Sequence, residues 1–280
     1  YDSFGSEGFD ELYRKYEGQE DIPRSTVAAQ EIILDLLKER AETGRIYIMN
    51  IDHCNDHSSF KDQVYMSNLC QEITLPTDPI NHIDGEGEIA LCILSAINVG
   101  KLNKLEDMEE LCDLSVRALE ELIDYQRYPV KAAEESTLAR RSLGIGFIGL
   151  AHYFAKNNVK YSDPAAWQLT HELTEAFQYY LLKASNQLAI ERGPCDAFSR
   201  TKYHNGILPI DTYKKDVDSI VTNELKYDWD SLRSSITTNG LRHSTLSAQM
   251  PSESSSVVSN ATNGIEPPRD YLSIKKSKKG

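Results

Sequence analysis

Positive charge is in short supply in this chain: 30 Lys and Arg stand against 43 Asp and Glu, leaving a formal charge of -13 over 280 residues. That surplus of acid repels polyanions and argues against a nucleic-acid scaffold. The only basic cluster, Lys275 to Gly280, has no neighbouring aromatics on which bases could stack and is expected to be a solvated end. Cysteine is scarce too. Five residues, an odd number at irregular spacing, fit no disulfide framework and suit a reducing compartment. No apolar run approaches the length of a membrane span, no signal peptide is visible and no repeat recurs, so a cytoplasmic location is expected. The chain opens at Tyr1 without methionine and stops at Gly280 soon after the strand-like Tyr271–Ile274, as expected of a piece of something longer.

What is present reads as an α/β protein large enough for one big domain or two ordinary ones. From a cap at Ser25 or Thr26, the apolar positions Val27, Ile32, Ile33, Leu36 and Leu37 recur at helical spacing until Gly44, and Arg45–Asn50 then reads as a strand. Pro76, Pro79, Asp84 and Gly85 mark residues 77–87 as a surface loop. Residues 105–125 form the clearest amphipathic helix, with Met108, Leu111, Leu114, Ala118, Leu119, Leu122 and Ile123 on its apolar face and Cys112 packed inside it. A second long helix is predicted from Asp163 to Arg192, with Pro164 in its first turn, Gly193 as its stop and a structural Cys195 just beyond. Strands alternating with helices would place a site at strand ends and connecting loops.

Several motifs are decoys. Gly144-Ile-Gly146-Phe-Ile-Gly149 spells a dinucleotide fingerprint, but Leu138–Ser142 before it looks like a helix end and no acid-tipped strand follows at the required distance. Asp52-His-Cys-Asn55 with His57 lacks the second cluster that a zinc site needs, so no metal is expected there. Asn260-Ala-Thr262 matches a glycosylation sequon that is idle in a reducing compartment.

Two segments carry chemistry. In an extended Asn68-Leu-Cys70-Gln-Glu72 the side chains at 68, 70 and 72 share one face, which sets a thiol between an amide and a proton acceptor. The flanks Val64–Met66 and Ile73–Leu75 are β-formers, consistent with a short strand or a tight loop. Pro251 followed by Ser252, Glu253, Ser254 and Ser255 is written like a helix N-terminus, where backbone N–H groups and hydroxyls could cradle a phosphate or serve as an ordinary cap. Cys92, in the apolar run Glu88–Ser95, reads on its own as a core residue in a buried strand.

Taken together and in order, Ser67–Glu72, Gly87–Cys92, Leu143–Gly146, Met250–Ser256 and Asn260–Pro268, with Gly44–Ile48 and Gly206–Lys215 between them, resemble the large subunit of class I ribonucleotide reductase nearly end to end. The resemblance implies a ten-stranded α/β barrel with the active-site cysteine on a central finger loop. Residues 1–280 would form one partial domain, the later portion of that barrel, without the N-terminal cone, the first part of the barrel or the C-terminal tail. It implies that Cys70 is the thiyl-radical cysteine that abstracts the 3' hydrogen of a ribonucleoside diphosphate, lodged in a sheltered barrel centre. Glu72 would take the 3'-hydroxyl proton and Asn68 would orient the substrate. Cys92 would be half of a redox-active disulfide whose partner lies outside this chain, and Ser252, Glu253, Ser254 and Ser255 would form the substrate-phosphate site. No cofactor would be bound directly: the radical would come from a small subunit with a di-metal centre and tyrosyl radical, and electrons from thioredoxin or glutaredoxin. The large subunit would be homodimeric and would need a polypeptide carrying its N-terminal portion. An adenosylcobalamin-dependent reductase and a non-catalytic remnant of a split subunit are the alternatives.

Overall fold

The computed structural model describes residues 8–44, 46–80, 82, 85–91, 93–222, 224–270 and 272. Its helices are α1 (Gly8–Glu17), α2 (Ala29–Thr43), α3 (Ile51–His57), α4 (Asp107–Tyr125), α5 (Lys131–Arg140), α6 (Leu150–Lys156), α7 (Pro164–Arg192), α8 (Pro209–Thr212), α9 (Trp229–Asn239) and α10 (Glu253–Val258). Strands β1 (Ile93–Asn98) and β2 (Leu143–Ile148) pair in parallel, from Ile93 opposite Leu143 to Asn98 opposite Ile148. Among the described residues no helix is long and apolar enough to cross a membrane.

The core forms where α4 and β2 meet α7. On α7, Leu173, Ala176, Phe177, Tyr180, Leu181, Ala184 and Leu188 recur every three or four residues and are buried, the stripe expected of a helix lying along a core. Phe177 meets Phe147 of β2 edge to face, with ring centroids 5.4 Å apart. A fully buried leucine such as Leu181 contributes about 1.5–3 kcal/mol through removal of its surface from water. Both long helices lie within a residue or two of their predicted bounds. The inward face of α4 is rotated from the predicted one: Leu114 and Leu122 are 55% and 47% exposed, while Cys112, Val116 and the charged Glu120 are buried.

Other expectations need correction. Gly44 does stop α2, in the left-handed region at φ 64°. Residues 46–50 are nonetheless not a strand but lead directly into α3, and Arg45 lies outside the described residues. Among the described residues their β-forming side chains have no neighbouring strand to complete a ladder, and tertiary context overrides such propensity. The strand expected within residues 88–95 begins only at Ile93, and β2 coincides with the glycine-containing run read as a failed fingerprint. Regular alternation of strands and helices is also absent: the described residues hold one β–α–α–β unit in an otherwise helical chain, and the sheet does not close. Residues 245–248 add a third rung against the free edge of β2, with Leu143 N–H donating to Thr245 O (3.0 Å), Ile145 N–H to Leu246 O (2.8 Å) and Ala248 N–H to Ile145 O (3.1 Å). Gly146 makes that approach possible, because a Cβ there would stand 2.4 Å from Ala248 O. Cys92, Asp84, Tyr271, Ser273, Ile274 and the basic Lys275–Gly280 lie outside the described residues.

Candidate active site

The Asn68–Glu72 segment sits on a narrow excursion whose base is tied down at several points. Asn55 clamps Val64, its Oδ1 accepting the Val64 N–H at 2.8 Å and its Nδ2 donating to Val64 O at 3.1 Å. Phe60 bridges Thr201, and Asp78 bridges Glu88, both antiparallel. Phe60, Ile73 and Leu75 form a small buried cluster against Ala90 and Ala248. Ala248 belongs to the rung beside β2 that continues into α10, so one apolar contact links the thiol loop to the serine-bearing helix.

At its tip the chain turns instead of running extended. Asn68 N–H donates to Ile73 O (3.3 Å), Gln71 N–H donates to Asn68 O (3.2 Å) and Asn68 Oδ1 accepts from Ile73 N–H (3.2 Å). Gln71 occupies the left-handed region at φ 61°, an uncommon conformation outside glycine. The strict alternation that would set Asn68, Cys70 and Glu72 on one face is therefore broken at Gln71, and the three residues belong instead to a tight turn. Cys70 and Asn68 are exposed, and Leu69 between them is 82% exposed. The shelter expected for the Cys70 thiol is thus not supplied by the described residues. Glu72 is half-buried, with Oε2 out of solvent and without a hydrogen-bond partner among the described residues. The loop separates two clefts. One, of about 450 Å³, is bounded by Met66, Asn68, Ile73 and Ile89; the other, of about 280 Å³, lies between Gln71 and Thr74 on one side and His53 and Cys54 of α3 on the other. Among the described residues no His, Cys, Asp and Glu side chains gather as a metal ion would require.

The serine segment does start a helix, α10, beyond the C-terminal ends of β1 and β2, where ligands of parallel sheets commonly bind. Asn98, at the end of β1, donates to Ser259 O at 3.4 Å, and Gly149, just after β2, donates to Thr262 O at 2.9 Å. Ser252 caps the helix but is buried: its hydroxyl donates to Met250 O (3.2 Å) and its N–H to Asn263 Oδ1 (3.1 Å). Glu253, Ser254 and Ser255 are exposed, and the first-turn amides of Ser254 and Ser255 have no acceptor within the helix.

Sequence reading missed the group that holds the approach to α10. Glu120, fully buried on α4, accepts from Arg141 Nε (2.8 Å), Arg242 Nε (2.7 Å) and His243 Nε2 (3.0 Å), and His243 Nδ1 lies 2.9 Å from Ser185 Oγ on α7. Burial alone would raise the Glu120 carboxyl, but hydrogen bonds from His243, Arg141 and Arg242 outweigh it and hold the group at about 2. Burial lowers the His243 imidazole below its ordinary value, with the neighbouring Arg141 and Arg242 acting in the same direction. These partners are remote in sequence; only a glutamate on the predicted helix and the pair Arg242-His243 hinted at them.

The chain spans little more than a third of the curated relatives it matches. The family described as "Ribonucleotide reductase, barrel domain" matches residues 1–280. Among the similar proteins, a Haemophilus influenzae protein named "Ribonucleoside-diphosphate reductase subunit alpha" is 60% identical over 97% of this chain and 36% of its own length. The Escherichia coli K12 "Ribonucleoside-diphosphate reductase 1 subunit alpha" is 57% identical over 100% of the chain and 38% of its own. An alpha subunit of enterobacteria phage T4 is 44% identical over 97% and 36%.

Proposed function

The chain belongs to the ribonucleotide reductase barrel-domain family, a barrel-type α/β fold, and from that premise we propose that it is the part of a class I ribonucleoside-diphosphate reductase large subunit that carries the radical thiol. The observation that supports this reading is an anchored loop bearing both Cys70 and Glu72, in a chain 55–60% identical to several proteins named for that activity. Cys70, as a thiyl radical, takes the 3' hydrogen atom of the ribose; Glu72, whose Oε2 is desolvated and unpartnered, accepts the 3'-hydroxyl proton; Asn68 orients the sugar. The diphosphate binds at the start of α10, where Ser254 and Ser255 present amides and hydroxyls and Glu253 rims the site, while Ser252, its N–H held by Asn263 Oδ1 and its hydroxyl by Met250 O, fixes the entry to the helix. Cys92, in this reading, supplies reducing equivalents with a second cysteine outside this chain and is restored by thioredoxin or glutaredoxin.

The exposed Cys70 calls for further polypeptide. A ten-stranded barrel completed by the N-terminal portion of the subunit would enclose it, since radical chemistry requires exclusion of water. A small subunit with a di-metal centre and tyrosyl radical would deliver the oxidising equivalent, the large subunit acting as a homodimer. Reconstitution tests the assignment. Combined with the completing polypeptide and the radical-generating subunit, the wild-type chain should reduce a ribonucleoside diphosphate and Cys70→Ser should not; equal rates in both would end it.

A further inference from the structure

Two carboxylates stand at the feet of the thiol loop, and two guanidiniums join them into a ring. Arg140, at the C-terminal end of α5, donates from Nε (2.9 Å) and Nη2 (2.6 Å) to Glu88 Oε2. Its Nη2 also lies 2.9 Å from Asp62 Oδ2. Arg200 donates from Nη1 to Glu88 Oε1 at 2.8 Å, and its Nε lies 2.8 Å from the same Asp62 oxygen. The contacts to Asp62 are off the N–H axes and are mainly ionic. Asp62 precedes the loop and Glu88 follows it, so the ring joins its two ends.

We propose that the Asp62–Arg140–Glu88–Arg200 ring is a positioning clamp for the Cys70 loop, with Arg140 as its central member. Arg140 is 2% exposed and its guanidinium lies over the Phe60 ring, 5.9 Å from the centroid, where Phe60 forms part of the Ile73–Leu75 cluster. Its backbone oxygen accepts from Ser244 N–H at 3.0 Å, which joins the clamp to the segment running along β2 toward α10. Two opposite charges on each side balance, so the burial of Arg140 is compensated only while both carboxylates are in place. A forked guanidinium can reach both acids at once, whereas an ammonium presents one compact charge. Glu88 lies shortly before β1 and Cys92, so the clamp also fixes the thiol loop relative to the run that carries the second thiol. This inference rests on the reductase reading, under which both sulfurs must address one sugar, but its first readout does not.

The experiment measures, in Arg140→Gln, Arg140→Lys and Asp62→Asn, hydrogen exchange of residues 64–76 resolved by peptide mass spectrometry. Arg140→Gln should speed that exchange at least fivefold while α4 and α7 keep wild-type protection, and Arg140→Lys should recover part of the effect. In the reconstituted enzyme, kcat should fall at least tenfold with KM for the diphosphate within twofold. Asp62→Asn, on the more exposed rim, carries the test if Arg140→Gln does not fold. Unchanged exchange in the folded variants would overturn the clamp, as would loss of protection spread evenly over α4 and α7. A loosened loop in an assembly whose wild type shows no reductase activity would support the clamp and fail the reductase reading.

Discussion

Replacing Glu120 by glutamine removes a carboxylate from the middle of two arginines and a histidine while keeping the volume of the side chain. The ordinary carboxylate value is 4.5 and the folded chain holds Glu120 at about 2. At ~1.36 kcal/mol for each pH unit, that difference corresponds to about 3 kcal/mol of stabilisation at neutral pH. The magnitude agrees with the roughly 3–5 kcal/mol expected when a buried ion pair loses one partner. Because the folded value is the lower one, the contribution is complete above pH 4.5 and disappears as pH falls from 4.5 to about 2. The assay is urea unfolding of wild type and Glu120→Gln at pH 7 and pH 3. With a slope of about 3 kcal/mol per molar urea, the midpoints should differ by about 1 M at pH 7. At pH 3 the gap should shrink to about 1 kcal/mol, since most of the titration of the unfolded chain is by then complete. His243 adds a separate loss that begins as pH falls below its ordinary 6.5, and the variant His243→Gln isolates it. A gap under about 1 kcal/mol at pH 7, or one that stays constant down to pH 3, would refute the balance of burial and hydrogen bonding assigned to Glu120.

Gly146→Ala should lower stability by about 1–3 kcal/mol through overpacking, because the new methyl would meet Ala248 O and the Met250 sulfur, the latter at 3.0 Å. The same change should weaken diphosphate binding by the full enzyme through α10, and calorimetric denaturation with a binding isotherm checks both. Iodoacetamide at pH 8 should label Cys70 first and Cys54, whose thiol burial raises, more slowly. Cys195, pushed up to about 12 by burial, and the fully buried Cys112 should react only on unfolding; native-state labelling of Cys112 at the rate of Cys70 would contradict the packing of α4.

The long helices were legible because fifteen or more residues of one periodicity average out local noise, as in α4 and α7. Shorter signals misled where tertiary context decides. Ile46–Asn50 has strand-forming side chains but no partner strand among the described residues, whereas Leu143–Ile148 contains two glycines and is nevertheless a fully buried strand, since residues 245–248 press against it too closely for a side chain. The residue types of Asn68–Glu72 were plain in the sequence, yet the geometry of the segment was not, because the turn depends on Gln71 adopting a left-handed backbone that no propensity favours. The Glu120 group and the arginine ring were invisible for a simpler reason: each joins residues from opposite parts of the chain, and charge pairing at such separations leaves no local pattern.

Strand β1 has consequences for handling the chain. Among the described residues it pairs only with β2, and Leu94 on it is 43% exposed, so one row of its peptide groups is left as an open template. A neighbouring copy can dock there, which makes dilute, low-temperature expression the route to a monodisperse sample.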